Sequence, residues 1–213
     1  PDCHVTTNGT VWGAQVEREL DKLAYLLRAS SSAALVQKCE QSTRKNRRLF
    51  DEELERQYNA AIRNATPISL AMLDIDHFKP YNDRHGHQKG DQCLRDLARA
   101  LTMQAARPQD LAARYGGEEF FILLPFTGRD AALEFCTRLQ HGIREMVFAH
   151  DGDSVRITAS MGLAELAPEA GTLKQLVKQA DIALYQAKRL GRNRVIDAPQ
   201  SLDEAAGELA KQV

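Results

Sequence analysis

Ile68-Ser69-Leu70-Ala71-Met72-Leu73-Asp74-Ile75-Asp76 is the stretch that decides the fold. It is an apolar run short enough for a buried strand, and it stops on acidic residues. Before it, Phe50, Leu54, Tyr58 and Ile62 recur at four-residue steps and predict a helix, with Asn46 placed as its cap and Pro67 following its end. After it the pattern alternates. A helix is expected from about Asp91 to Met103, then strands over Leu111–Tyr115 and Glu119–Leu124 joined as a hairpin by Gly116 and Gly117. A helix from about Asp130 to Met146, a strand around Val155–Met161, a helix from about Leu173 to Lys188 and a short strand near Arg194 complete the series. An antiparallel hairpin among alternating helices and strands predicts an α/β fold of the α+β type: a mixed, largely antiparallel central sheet with flanking helices, not a doubly wound parallel one.

The chain has 213 residues, 43% hydrophobic and 27% charged, a composition that folds rather than remains disordered. Its 28 Lys and Arg against 29 Asp and Glu leave no global field for a polyanion, so nucleic acid and anionic membrane surfaces are not expected partners, and any phosphate binding is local. Cys3, Cys39, Cys93 and Cys136 form no CxxC pair; neither a zinc site nor a disulfide framework is suggested, and a reducing, cytoplasmic setting fits best. No apolar run approaches the roughly 20 residues of a bilayer span. Because the sequence opens at Pro1, an excised piece of a longer, membrane-anchored protein is compatible with it. Three regions are expected: a lead-in and N-terminal helix over 1–40, a main domain over 41–198 and a polar tail over 199–213. The first helix carries Val16, Leu20, Leu23 and Leu27, a narrow stripe that suits either packing on its own domain or pairing with a second chain in signalling.

Four features carry chemistry. Asp74 follows Ala71-Met72-Leu73 directly, and a carboxylate at a buried strand end is costly unless something, such as a divalent cation, neutralises it. Asp76, by contrast, reads equally well as a cap for the turn at His77 and Phe78. In Arg114-Tyr115-Gly116-Gly117-Glu118-Glu119-Phe120 the glycines let backbone amides approach a phosphate, while the adjacent carboxylates suit Mg2+ shared with phosphate oxygens; alone, the segment is an ordinary hairpin turn. Asn82 and Asp91, with Gly86, His87 and Gly90 between them, suit guanine, whose N1 and N2 donors a carboxylate accepts; Asp91 alone reads as a helix N-cap. Lys188 to Asn193 places basic residues at a helix C-terminus, where they either oppose its dipole or clamp a triphosphate.

Together these blocks resemble the GGDEF domain of diguanylate cyclases in its GGEEF form. The resemblance rests on Asp74 to Asp83, Gly86-His87, Gly90-Asp91, Arg114 to Phe120 and Ala180-Asp181 through Asn193, and runs from about Asn46 to Val195. It implies a palm like that of nucleotidyl cyclases and polymerases, and a reaction in which two GTP, one on each domain of an antiparallel homodimer, become cyclic di-GMP and pyrophosphate. In that reading Asp74, the Ile75 carbonyl and Glu118 bind Mg2+, with Mn2+ the alternative, and Glu119 helps to activate the 3′-hydroxyl. Phe78 and Lys79 lie along the triphosphate, Gly116 and Gly117 approach it, Asn82 and Asp91 hold guanine, and Lys188 with Arg192 balances phosphate charge.

The segment Arg107-Pro108-Gln109-Asp110 resembles the family's RxxD site for its own product, with Arg138 as a secondary contact from a neighbouring domain; without the family it reads as a turn with a surface ion pair. One departure stands out. Where the family has a turn resembling DxLTGLxNRR, this chain has Cys39 to Arg48 and keeps only Asn46-Arg47-Arg48, which places coupling to an upstream sensor in question more than catalysis. Two other readings compete: a silent GGDEF receptor for GTP or cyclic di-GMP, against which Glu118 and Glu119 both argue, and a cyclase of other base specificity, against which Asp91 argues.

Overall fold

The computed structural model describes residues 43–198 apart from 106, 151–152 and 167–170. The expected Val16–Leu27 helix, residues 1–40, Cys3, Cys39 and the tail over 199–213 lie outside the described residues. Elements run in the order α1 (Thr43–Asn64), β1 (Ile68–Ile75), α2 (Phe78–His85), α3 (His87–Gln104), β2 (Leu111–Arg114), β3 (Glu119–Pro125), α4 (Arg129–Glu145), β4 (Phe148–His150), β5 (Asp153–Val155), β6 (Ala159–Leu166), α5 (Leu173–Arg189) and β7 (Val195–Asp197).

The main sheet has the order β2-β3-β1-β6-β7. β1 lies at its centre, antiparallel to both β3 and β6, while β7 joins β6 in parallel. The sheet is therefore mixed and largely antiparallel, as expected. All eight residues of β1 are buried. Because successive side chains point to opposite faces, Ala71, Leu73 and Ile75 enter one core with α2, α3 and α4, while Ile68, Leu70 and Met72 enter another with α1 and α5. Each large side chain fully buried this way contributes roughly 1.5–3 kcal/mol of apolar transfer. No helix among the described residues is long and apolar enough to cross a membrane.

Several sequence expectations are corrected. α1 begins at Thr43, so Asn46 lies inside it and is not its cap. Its buried stripe is Phe50, Leu54, Gln57 and Ala61, whereas Ile62 is 41% exposed, because steps of three and four, not of four alone, keep to one face of a 3.6-residue helix. The segment after β1, expected as loop, holds α2 and the first turn of α3; the helix expected from Asp91 starts at His87, so Asp91 sits in its second turn and is not its N-cap. Val155–Met161 is not one strand: β5 ends at Val155 and β6 begins at Ala159, and β4 with β5 forms a separate two-stranded sheet.

Candidate active site

The carboxyl end of β1 meets the hairpin turn because β1 and β3 are antiparallel in a register that sets Asp74 opposite Glu119. The Ile75 amide donates to the Glu118 carbonyl at 3.3 Å, which fixes the backbone of the turn to the strand end. The turn is closed by the Tyr115 amide, which donates to the Glu119 carbonyl at 2.8 Å. Arg114 Nε then braces it from outside, donating to the carbonyls of Gly117 at 2.9 Å and Gly116 at 3.2 Å. A Cβ on Gly116 would collide with the Glu119 carboxylate, whereas Gly117 faces open space. Tyr115 anchors the turn to α1: its ring stacks on Phe121 at 3.8 Å, lies under the Arg47 guanidinium at 4.6 Å, and its hydroxyl donates to Asp51 at 3.1 Å.

Asp74 is nearly buried, and Lys188 from the last turn of α5 sets its Nζ 2.8 Å from Oδ2. Burial raises the Asp74 carboxyl above its ordinary range; Lys188 opposes this, and the charges of Glu118 and Asp76 add to it. The strand end is therefore a place of excess negative charge with one ammonium against it, which suits a further cation. Among the described residues no three His, Cys, Asp or Glu side chains converge on one point. The carboxylates of Asp74 and Glu118 and the Ile75 carbonyl are hard oxygen groups at this strand end, of the kind that could hold a divalent cation together with phosphate and water.

Asp76 does not cap the turn beside it. The residue at the start of α2, His77, is left-handed with φ 56°, and no side chain caps that helix. The Asp76 carboxylate instead accepts from Ser160 Oγ at 2.7 Å, Thr158 Oγ1 at 2.7 Å and the Asn193 amide at 3.0 Å. The Phe78 ring is buried and stacks on Tyr81 at 5.9 Å, so a contact with phosphate would come from its backbone. The first-turn amides of a helix have no intrahelical acceptor, and in α2 those are the amides of Phe78 and Lys79, since Pro80 has none. Asn82 Oδ1 is buried without a hydrogen-bond partner, and it occupies the space where a Cβ on Gly90 would stand. Asp91 and Arg192 are exposed.

Arg107 and Asp110 are not part of this cluster; they lie at the other end of β1 and β3. Arg107 Nε donates to Asp110 Oδ2 at 3.0 Å, and its Nη2 stands 2.8 Å from Oδ1 and donates to Thr127 Oγ1 at 2.6 Å. Thr127 Oγ1 donates in turn to the Pro125 carbonyl at 2.9 Å, and Ser69 Oγ to the Thr127 carbonyl at 2.8 Å. Arg138 is exposed on α4 and pairs with Glu134 at 3.1 Å; no described contact ties it to Arg107. Sequence reasoning assigned no role to Thr127 or to the Asp76–Asn193 bond, whose partners come from separate elements, nor to Arg114, which its place beside the glycines could have flagged.

Comparison with known proteins agrees with this fold. Residues 43–194 match the family model described as diguanylate cyclase, GGDEF domain. Diguanylate cyclase A of Treponema denticola is 38% identical over 138 residues, 65% of this chain and 37% of that protein. Diguanylate cyclase VdcA of Vibrio cholerae is 41% identical over 154 residues, 71% of this chain and 44% of that protein, so the chain spans less than half of either relative. The crystal structure of the GGDEF domain of DgcB from Caulobacter crescentus in complex with c-di-GMP matches with a TM-score of 0.68 at 39% identity, covering 71% of this chain and 90% of that one. By sequence motif, sheet topology and similarity alike, the chain belongs to the GGDEF family of diguanylate cyclases.

Proposed function

We propose that this chain is an active diguanylate cyclase domain, which condenses two GTP into cyclic di-GMP with release of pyrophosphate. The observation that carries the reading is the β1–β3 register, which brings the acidic end of one strand beside the acidic turn of the other, with Lys188 paired to Asp74 at the strand end. GGDEF cyclases are generally dependent on divalent metal. Mg2+ is the proposed ion here, held by Asp74, the Ile75 carbonyl and Glu118; when bound, it draws charge from the phosphate oxygens and favours loss of the 3′-hydroxyl proton.

The amides of Phe78 and Lys79 and the open backbone at Gly117 bind phosphate oxygens, and Lys188 and Arg192 add positive charge. Asn82 and Asp91 hold guanine, whose N1 and N2 donors a carboxylate or amide oxygen accepts. The 3′-hydroxyl oxygen of one GTP bonds to the α-phosphorus of the other, the bond to the pyrophosphate bridging oxygen breaks, and Glu119 takes up the hydroxyl proton. Each domain presents one GTP, so a homodimer follows from the chemistry. Arg107 and Asp110 form the product site, with Arg138 contributing from the neighbouring domain, and the main domain over 41–198 answers to an upstream sensor.

The test is a product assay with GTP and Mg2+ at several protein concentrations, beside Glu118→Ala. Cyclic di-GMP that rises more steeply than protein concentration, and falls at least about 100-fold in the variant, is the expected result. GTP or cyclic di-GMP binding without product at any concentration would replace this reading with the receptor.

A further inference from the structure

Asp74 and Asp76 grip α5 and the loop that follows it at two points. Asp74 holds α5 through Lys188 Nζ at 2.8 Å. Asp76 holds the loop that follows α5 through the Asn193 amide at 3.0 Å. That loop is held in an unusual shape, with Gly191 at φ 105°, Arg192 at 63° and Asn193 at 47°. Asp76 is 7% exposed, and its three donors come from the start of β6, the residue before it and the loop after α5, none from its own strand or from α2. A buried carboxylate satisfied only by distant partners fastens those partners to one another.

We propose that Asp76 is a positioning residue: its carboxylate anchors the Arg192–Asn193 loop to the end of β1, so that Lys188 and Arg192 stay over the phosphates once a cation has taken Asp74 from Lys188. The proposal rests on the cyclase reading. Lys188 is then free to turn to phosphate oxygens, but the loop cannot drift away with it, because Asn193 remains bonded to a carboxylate that the cation does not use. Ser160 of β6 and Thr158 just before it hold that carboxylate rigid.

Asp76→Ala should raise KM for GTP about tenfold with a smaller change in kcat, as a lost charge-assisted hydrogen bond would. Asp76→Asn retains an acceptor for Asn193 and a donor for Ser160 Oγ, and should recover most of the loss. Combined with Arg192→Ala, the Asp76→Ala effect should be less than multiplicative, since both act through one guanidinium. A fully multiplicative effect, or an unchanged KM in Asp76→Ala, would overturn the proposal. Hydrogen exchange at the Asn193 amide decides the anchor itself without any variant. Protection in the wild type is expected, and free exchange would overturn the proposal even if Asp76→Ala does not fold. Absence of turnover by the wild type with a protected Asn193 amide would instead sink the cyclase reading and leave the anchor standing.

Discussion

The two ends of β1 present charge in opposite ways. At the carboxyl end Asp74, Asp76 and Glu118 crowd together, and the Asp74 carboxyl is raised by burial against a single ammonium. At the amino end Arg107 is already met by Asp110 and Thr127, and the Asp110 side chain is only 3% exposed. One end carries a surplus that an incoming cation relieves. At the other, Arg107 is already engaged, although Asp110 Oδ1 is buried without a hydrogen-bond partner, so a ligand there must displace contacts that Arg107 already makes. The difference teaches that binding at the first end is driven by the charge the fold leaves over, and at the second by exchange of one set of hydrogen bonds for another.

The comparison breaks most sharply at Asp74. Asp74→Ala should lower turnover at least about 100-fold by removing a metal ligand, while the circular dichroism spectrum and folding remain intact. Wild-type rates would show that the surplus charge is not used. At the other end, Arg107→Ala should leave initial rates intact but raise the concentration of cyclic di-GMP needed for half inhibition about tenfold or more. Equal inhibition of variant and parent would mean that the Arg107–Asp110 pair is only structural. The smallest effect is expected at Glu165, near the amino end of β1, whose carboxyl is raised from 4.5 mainly by burial, with Arg129 opposing. Folding disfavours its ionised form, a penalty present above the raised folded value and absent below the unfolded one. Glu165→Gln should therefore gain stability relative to wild type as pH rises from about 4 to about 7, read from denaturant midpoints. A gap that stays constant or narrows over that window would show that the charge is not penalised there.

Much of this was legible because it was periodic or local. The apolar run of β1, the glycine turn at Gly116 and Gly117 and the helical spacing of α4 and α5 each name their own structure. α2 was not legible: Phe78-Lys79-Pro80-Tyr81 is short, contains a proline and follows a left-handed His77, so it reads as loop. Proline is nevertheless tolerated in the first turn, where its missing amide has no intrahelical acceptor to lose. Strand β4 was missed, and β5 was merged with β6, because three residues are too few to show a period of their own. Among site residues, Asp74 and Glu118 announced themselves by their neighbours. The partners of Asp76 lie 82 to 117 positions away, and Thr127 lies 20 from Arg107; sequence carries no sign of either pairing until the sheet forms. The two described cysteines, Cys93 and Cys136, are both buried, and burial chiefly pushes their thiols up to about 12, which disfavours the reactive thiolate.

Gly162 sits in β6 directly beneath α5, and a Cβ there would collide with the backbone of Ala180, Ala183 and Leu184. Ala180, Ala183 and Ala187 are themselves fully buried, so at this crossing α5 rests on the sheet with almost no side chain between, while Leu176 and Leu184 fill the core to either side. A helix seated that way has no compliant layer to absorb error. Substitution at Gly162 would lift α5 as a rigid rod, and no repacking of neighbours could compensate, because the obstacle is main chain. The tolerance of this domain to random mutation should thus be lowest at a residue that touches no substrate, where a single methyl group is enough to lift the rod that carries Lys188.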